Sequence, residues 1–186
     1  LMRSSAASDV YKRQGMDNMK SLQVQLILQC APFLKGIKIA CILNITEENS
    51  RELYEILEGT GIKFKILTRN HGKCLVFLYR RESFSRYLKR TDVRGFLGSY
   101  GYEDVEPEKM LERLSKRVCQ YSDGEICFPH EIGAFLDYPI DDVKCFIEKD
   151  GKDSLFSGYW KVYNNPGRAK MIFWAYDKAK TSAVNE

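Results

Sequence analysis

The chain has 186 residues, of which 44% are hydrophobic and 29% charged, and its 29 Lys plus Arg against 25 Asp plus Glu give a formal charge of +4. A chain of this size buries roughly 70% of its unfolded surface, enough for one real core, so the composition excludes a disordered chain. It also excludes a helical membrane protein, because Lys35 and Lys38 interrupt the longest apolar window well short of the ~20 residues a span needs.

The opening Leu1 to Gln14 has neither the apolar stretch of a signal peptide nor the periodicity of a core element. Its DVYKRQ (Asp9 to Gln14) resembles a translated sequencing adapter from a metagenomic read, which would start the gene near Met16 or Met19. Setting aside Arg3, Lys12, Arg13 and Asp9 leaves 26 basic and 24 acidic residues, or +2. The remainder, 15–186, reads as a single domain. Its six cysteines (30, 41, 74, 119, 127 and 145) include no C-x-x-C pair. We therefore expect reduced thiols and a cytoplasmic protein.

In Ser21 to Cys30, Leu22, Val24, Leu26 and Leu28 alternate like a strand, while Leu22, Leu26 and Ile27 also fit one helical face; we lean to a helix. Lys38 to Ile45 is a short β-branched run that suits a buried strand. Thr46 is placed to cap a following helix with Glu47 and Glu48 in its first turn, and Gly59 and Gly61 end it. Ile62, Phe64 and Ile66 alternate with Lys63 and Lys65, Asn70-His71-Gly72 makes a turn, and Cys74 to Tyr79 returns. The return strand is apolar on both faces, which predicts a central position.

Short helices are expected around Phe84 to Leu88 and Asp92 to Tyr100, then a longer one opened by Pro107 with Met110, Leu111, Leu114 and Val118 as its stripe. Pro129 to Leu136 and Pro139 to Lys149 read as two more, each starting at a proline, and Gly151 stops the second. Tyr159 to Tyr163 reads as an aromatic strand, and Asn165-Pro166 opens a last helix. The sum is an α+β domain, with a small mostly antiparallel sheet of about four strands and six or seven helices around it.

Charge is uneven. Gly61 to Arg94 carries ten basic and two acidic residues, so this segment could bind an anion or nucleic acid, although a solvated hairpin face explains it as well. Pro129 to Lys149 has the packing positions of a helix-turn-helix, but Asp141 and Asp142 would head its reading helix, the wrong sign for DNA. We read it as an αα-hairpin and disfavour nucleic acid as a partner. His71 with Cys74 and Cys127 with His130 have zinc-like spacing in each half, yet Cys74 heads an apolar strand, and we assign no metal. Cys30 could be a thiolate nucleophile if the fold brings it to His130, with Glu131 orienting that base.

The residues F-P-H-E-I-G-A-F-L-D-Y-P-I-D-D-V-K-C-F-I-E from Phe128, G-Y-W-K-V-Y at Gly158 to Tyr163, and C-A-P-x-L-x-G-I-K at Cys30 to Lys38 resemble the signature of domain-of-unknown-function family 3793. The resemblance spans about Leu22 to Lys180. It implies a bacterial, cytoplasmic, single-domain protein and names no activity or cofactor. Neither Cys74 nor Cys127 belongs to that pattern. Cys145 stands where Gly is usual, and Asp137 replaces the Gly of the usual L-G-Y-P.

The polar and aromatic motif residues Cys30, His130, Glu131, Trp160, Lys161 and Tyr163 are the candidate ligand-binding residues, and Cys30, His130 and Glu131 are also the candidates for catalysis. The leading expectation is a non-catalytic binding or regulatory protein for a small molecule or a protein. Its pocket would lie where the Cys30 turn, the start of the His130-Glu131 helix and the Trp160-to-Tyr163 strand converge. The alternatives are a thiol-dependent enzyme using Cys30 with His130 and Glu131, and an anion or nucleic-acid binder using the 61–94 segment.

Overall fold

The structure is a computed structural model that describes residues 22–104 and 106–185; the adapter-like segment and both candidate start methionines lie outside the described residues. Its centre is a three-stranded antiparallel sheet of β1 (Ala40–Thr46), β2 (Lys63–Asn70) and β3 (Lys73–Tyr79), in the order β1-β3-β2. β3 is the middle strand because its apolar run can cover both faces. His71 (φ 49°) and Gly72 (φ 71°) form the two-residue turn between β2 and β3. Two positive φ values in succession match the twist of the flanking strands.

A bulge between Ile66 and Thr68 leaves Leu67 without a register partner on β3, while its side chain enters the core. The freed Leu67 carbonyl accepts hydrogen bonds from Ser115 Oγ (2.7 Å) and Cys119 Sγ (3.5 Å). Both donors belong to α5 (Pro107–Ser122), so the bulge locks that helix to the sheet.

Alternation along the strands divides the core. On one face Leu43, Ile45, Val76 and Leu78 meet α1 (Leu22–Leu34) and α2 (Asn49–Leu57). On the other, Leu75, Phe77 and Tyr79 meet α3 (Arg81–Leu88), α4 (Thr91–Gly98), α5, the short α6 (Ile132–Phe135) and α7 (Ile140–Glu148). The ambiguous opening segment is the helix α1, with Leu22, Leu26, Cys30 and Phe33 as its buried stripe. Arg80 closes its end, donating to the carbonyls of Phe33 (2.8 Å) and Leu34 (3.2 Å).

Four boundaries differ from expectation. Thr46 pairs with Lys73 and stays in β1, so α2 starts at Asn49 and Thr46 caps nothing. The ladder bond outcompetes the cap. Pro129 to Glu131 form a turn ahead of the four-residue α6, and Pro139 is the N-cap of α7 rather than its first residue. The aromatic strand shrinks to β5 (Lys161–Val162), which pairs with β4 (Phe156–Ser157) in a separate two-stranded ribbon. The expected four-stranded sheet is therefore three strands plus a ribbon, and the described residues hold eight helices. The last of them, α8 (Pro166–Asn185), packs on α1, where Lys35 Nζ donates to Ser182 Oγ at 2.8 Å. No helix among the described residues is long and apolar enough to cross a membrane.

Candidate functional site

Motif residues from separate parts of the chain meet around Tyr138. The turn before α7 presents it, with Asp137 in a left-handed conformation (φ 64°) just ahead. Asp tolerates this region better than most residues, so the turn forms where the family pattern has Gly. Lys38 Nζ lies 5.3 Å from the centre of the Tyr138 ring, and Trp160 stacks at an angle 5.5 Å away. Tyr138 lines three cavities. One is a slot with His130, Gly133, Asp142, Val143, Phe146, Trp160 and Lys161. A second, larger one lies under α1 and along β1, the strand at the sheet's edge, and a third opens beside Arg90, Asp137 and Arg168.

In the slot, His130 sits between the rings of Phe128 (5.3 Å) and Phe146 (5.2 Å), and its Nδ1 is buried with no hydrogen-bond partner among the described residues. Burial holds the imidazole below the ordinary histidine pKa, although Glu131 and Asp150 oppose the shift. Lys161 Nζ donates to the Gly151 carbonyl at 2.6 Å, tying β5 to the end of α7. The Tyr163 hydroxyl is also buried without a partner among the described residues, and burial pushes its pKa up, with Cys145, Asp153 and Asp142 adding to the shift.

Glu131 does not face a base. It is 1% exposed and accepts hydrogen bonds from Tyr102 Oη (3.0 Å) and Arg117 Nε (2.5 Å). A buried carboxylate needs such partners; Arg117 fastens the turn before α6 to α5, and Tyr102 ties it to the chain ahead of that helix. Cys30 is fully buried in the α1 side of the core. It lines the larger cavity, whereas His130, Trp160 and Lys161 line the slot.

Asp142 is the residue that sequence reading missed. It is 2% exposed and accepts from Trp160 Nε1 (2.8 Å), Tyr163 N (3.0 Å), Asn164 N (2.7 Å) and Asn164 Nδ2 (3.1 Å). One carboxylate in the first turn of α7 thus fixes the chain leaving β5 and the indole of Trp160. A signal was present. Asp142 lies one turn before Phe146, on the apolar side of the helix, where a charge must be buried and partnered.

The larger cavity is lined by Tyr138, Tyr159 and Tyr176, by apolar Phe33, Ile42, Leu75 and Leu136, and by Gln29, Lys38 and Asn44. Tyr159 Oη donates to Asp177 Oδ1 at 2.7 Å, which sets the angle of its ring. Burial raises the Tyr176 phenol above its ordinary pKa. Gln29 Oε1 is buried with no partner among the described residues.

Much of the basic segment is engaged. Arg69 pairs with Glu47 (3.0 Å), Arg81 with Glu106 (2.8 Å) and Glu108 (2.9 Å), and Arg90 with Asp92 (2.7 Å), while Arg80 caps α1. No three His, Cys, Asp or Glu among the described residues are grouped as metal ligands. Cys74 lies in the core with its thiol 3.4 Å from Arg69 Nη1, and burial pushes its pKa up.

Fold and site thus define an α+β protein whose motif residues surround a tyrosine-lined cavity and its neighbouring slot. The family model described as "Protein of unknown function (DUF3793)" matches residues 26–186, and the chain belongs to that family. No curated protein and no solved structure matches the chain.

Proposed function

We propose that the protein is a non-catalytic binding or regulatory protein of the bacterial cytoplasm, a single domain over 15–186, and that its ligand enters the cavity under α1. The observation that carries this reading is the cavity itself, in which three tyrosine rings, two carboxamides and one lysine converge on an apolar floor. Ligand sites in soluble proteins have this make-up. In this reading Cys30 forms part of the wall. His130, Trp160 and Lys161 support Tyr138 from the slot, and Glu131 and Tyr163 position that support. The thiols support the compartment, since all six cysteines are free and three are buried.

A thermal-shift screen of the full chain against a small-metabolite library tests the proposal. Hits are expected to stabilise the wild type and to lose their effect in Ile42→Trp, which fills the cavity from β1. Hits that bind Ile42→Trp equally well, or no hits at all, would overturn it.

A further inference from the structure

We infer that the chain associates with itself head to tail, the exposed face of α8 around Trp174 docking on the acidic face of α2 in a second copy. The inference is independent of the cavity under α1.

Single exposed apolar side chains are ordinary on a protein surface, but large ones that share a face mark an interaction site. Met171 (74% exposed) and Trp174 (64% exposed) lie one turn apart on α8 and share such a face. They are not the core stripe of the helix, which is formed by the buried Ala169, Tyr176 and Ala179. Lys170 and Lys178 flank them, with Lys178 Nζ 5.6 Å from the centre of the Trp174 ring. Asp177, the one carboxylate of α8, accepts from Tyr159 Oη. An exposed indole with a charged rim is the make-up of a binding anchor, because Trp dominates interface energies when a partner covers it.

Charge selects the partner. Two copies of α8 laid face to face would bring Lys170 and Lys178 of both together while each Asp177 is already engaged, so like charge opposes a symmetric contact. Helix α2 with its two caps carries the complement. Glu48, Glu52, Glu55 and Glu58 are exposed there against the single Arg51, which pairs with Glu55 at 3.3 Å. Among them Tyr54 is 60% exposed. The spacing agrees as well. Lys178 follows Trp174 by four residues and Glu58 follows Tyr54 by four, so two helices aligned in one direction with Tyr54 on Trp174 set Glu58 against Lys178. The two faces lie on different helices, so the contact is heterologous, and each copy keeps a face open for the next. A contact of two helix faces sits at the small end of specific interfaces, so the association is weak and depends on concentration.

Sedimentation velocity of the full chain over a wide concentration range tests the inference. The average mass of the wild type is expected to rise with concentration at low salt and to fall back as salt screens the lysines. Trp174→Ala and Tyr54→Ala are each expected to stay monomeric alone. Mixed in equal amounts they should form a 1:1 dimer and nothing larger, since the first supplies an intact α2 face and the second an intact α8 face. Should either alanine variant fail to fold, Lys178→Glu and Glu58→Lys replace them. Each of these should weaken association by about tenfold or more alone, and mixing the two should restore it. A wild type that stays monomeric throughout would overturn the inference. So would a Tyr54→Ala variant that still dimerises by itself, which would make the contact symmetric through α8, or a mixture of folded variants that does not associate.

Discussion

The two buried carboxylates of segment 128–163 and the glutamines of helix α1 handle burial in opposite ways. Glu131 and Asp142 are almost completely buried and each is surrounded by donors, whereas Gln25 and Gln29 leave amide oxygens unpaired among the described residues. A partnered buried carboxylate is a structural fastener, and here the two hold a chain with little regular structure against α5 and α7. An unpartnered buried acceptor stabilises nothing. His130 Nδ1 and the Tyr163 hydroxyl, in the same segment as the carboxylates, also have no partner among the described residues, so the contrast lies between ionised groups, which burial forces to pair, and neutral ones.

The contrast can be broken most sharply at Asp142. Asp142→Ala leaves the Trp160 indole N–H and the amides of Tyr163 and Asn164 without their acceptor, and a loss of about 3 kcal/mol is expected in urea unfolding. Asp142→Asn, which keeps an acceptor, should lose clearly less. A loss under about 1 kcal/mol for alanine would show that these donors find other partners.

Glu131→Gln should cost about 2 kcal/mol, since Arg117 is partly exposed and water can take over some of its pairing. A double-mutant cycle with Arg117→Met is expected to return a coupling of about 1 kcal/mol or more. Additive losses would mean that Tyr102 alone holds the carboxylate.

His130 sharpens the comparison through pH. Its folded pKa lies below the unfolded value, so as pH falls through about 6.5 the unfolded chain takes up the proton first and stability declines. The slope cannot exceed about 1.4 kcal/mol per pH unit for one group. His130→Phe keeps a ring between Phe128 and Phe146 and should flatten the wild-type profile between pH 7 and 5. Parallel profiles would exclude His130 as the titrating group.

The smallest effect is expected at Asp137, where burial raises the carboxyl pKa against the pull of Lys38, Arg90 and Arg168. Once pH rises above the unfolded value, the ionised form favours unfolding. Asp137→Asn keeps a residue that tolerates positive φ, so it should stabilise the chain at pH 7 by up to about 1 kcal/mol, and the gain should vanish below pH 4. Equal gains at both pH values would point to backbone conformation instead of charge.

Local patterns decided most of what could be read in advance. The apolar run of β3, the alternation of β2, the His71-Gly72 turn and the α5 stripe each follow from periodicity or from a φ that few residues adopt. α1 is helical because Leu22, Leu26, Cys30 and Phe33 then share one buried face. Thr46 departs from expectation for a local reason: its side chain suits a cap, but β3 offers its backbone a partner.

By itself, then, the sequence determined the α+β class, the central hairpin, the order of the helices and, through the motif resemblance, the family. Those are consequences of periodicity, turn chemistry and residue pattern, which act over a few residues at a time. The tertiary structure alone decided that Cys30 and His130 line different cavities, that Tyr138 borders both, that Asp142 is a buried fastener and that Gln29 Oε1 has no partner among the described residues. Hydrogen-bond satisfaction and burial depend on neighbours far apart in the chain, so only the folded chain determines which polar atoms remain free to meet a ligand.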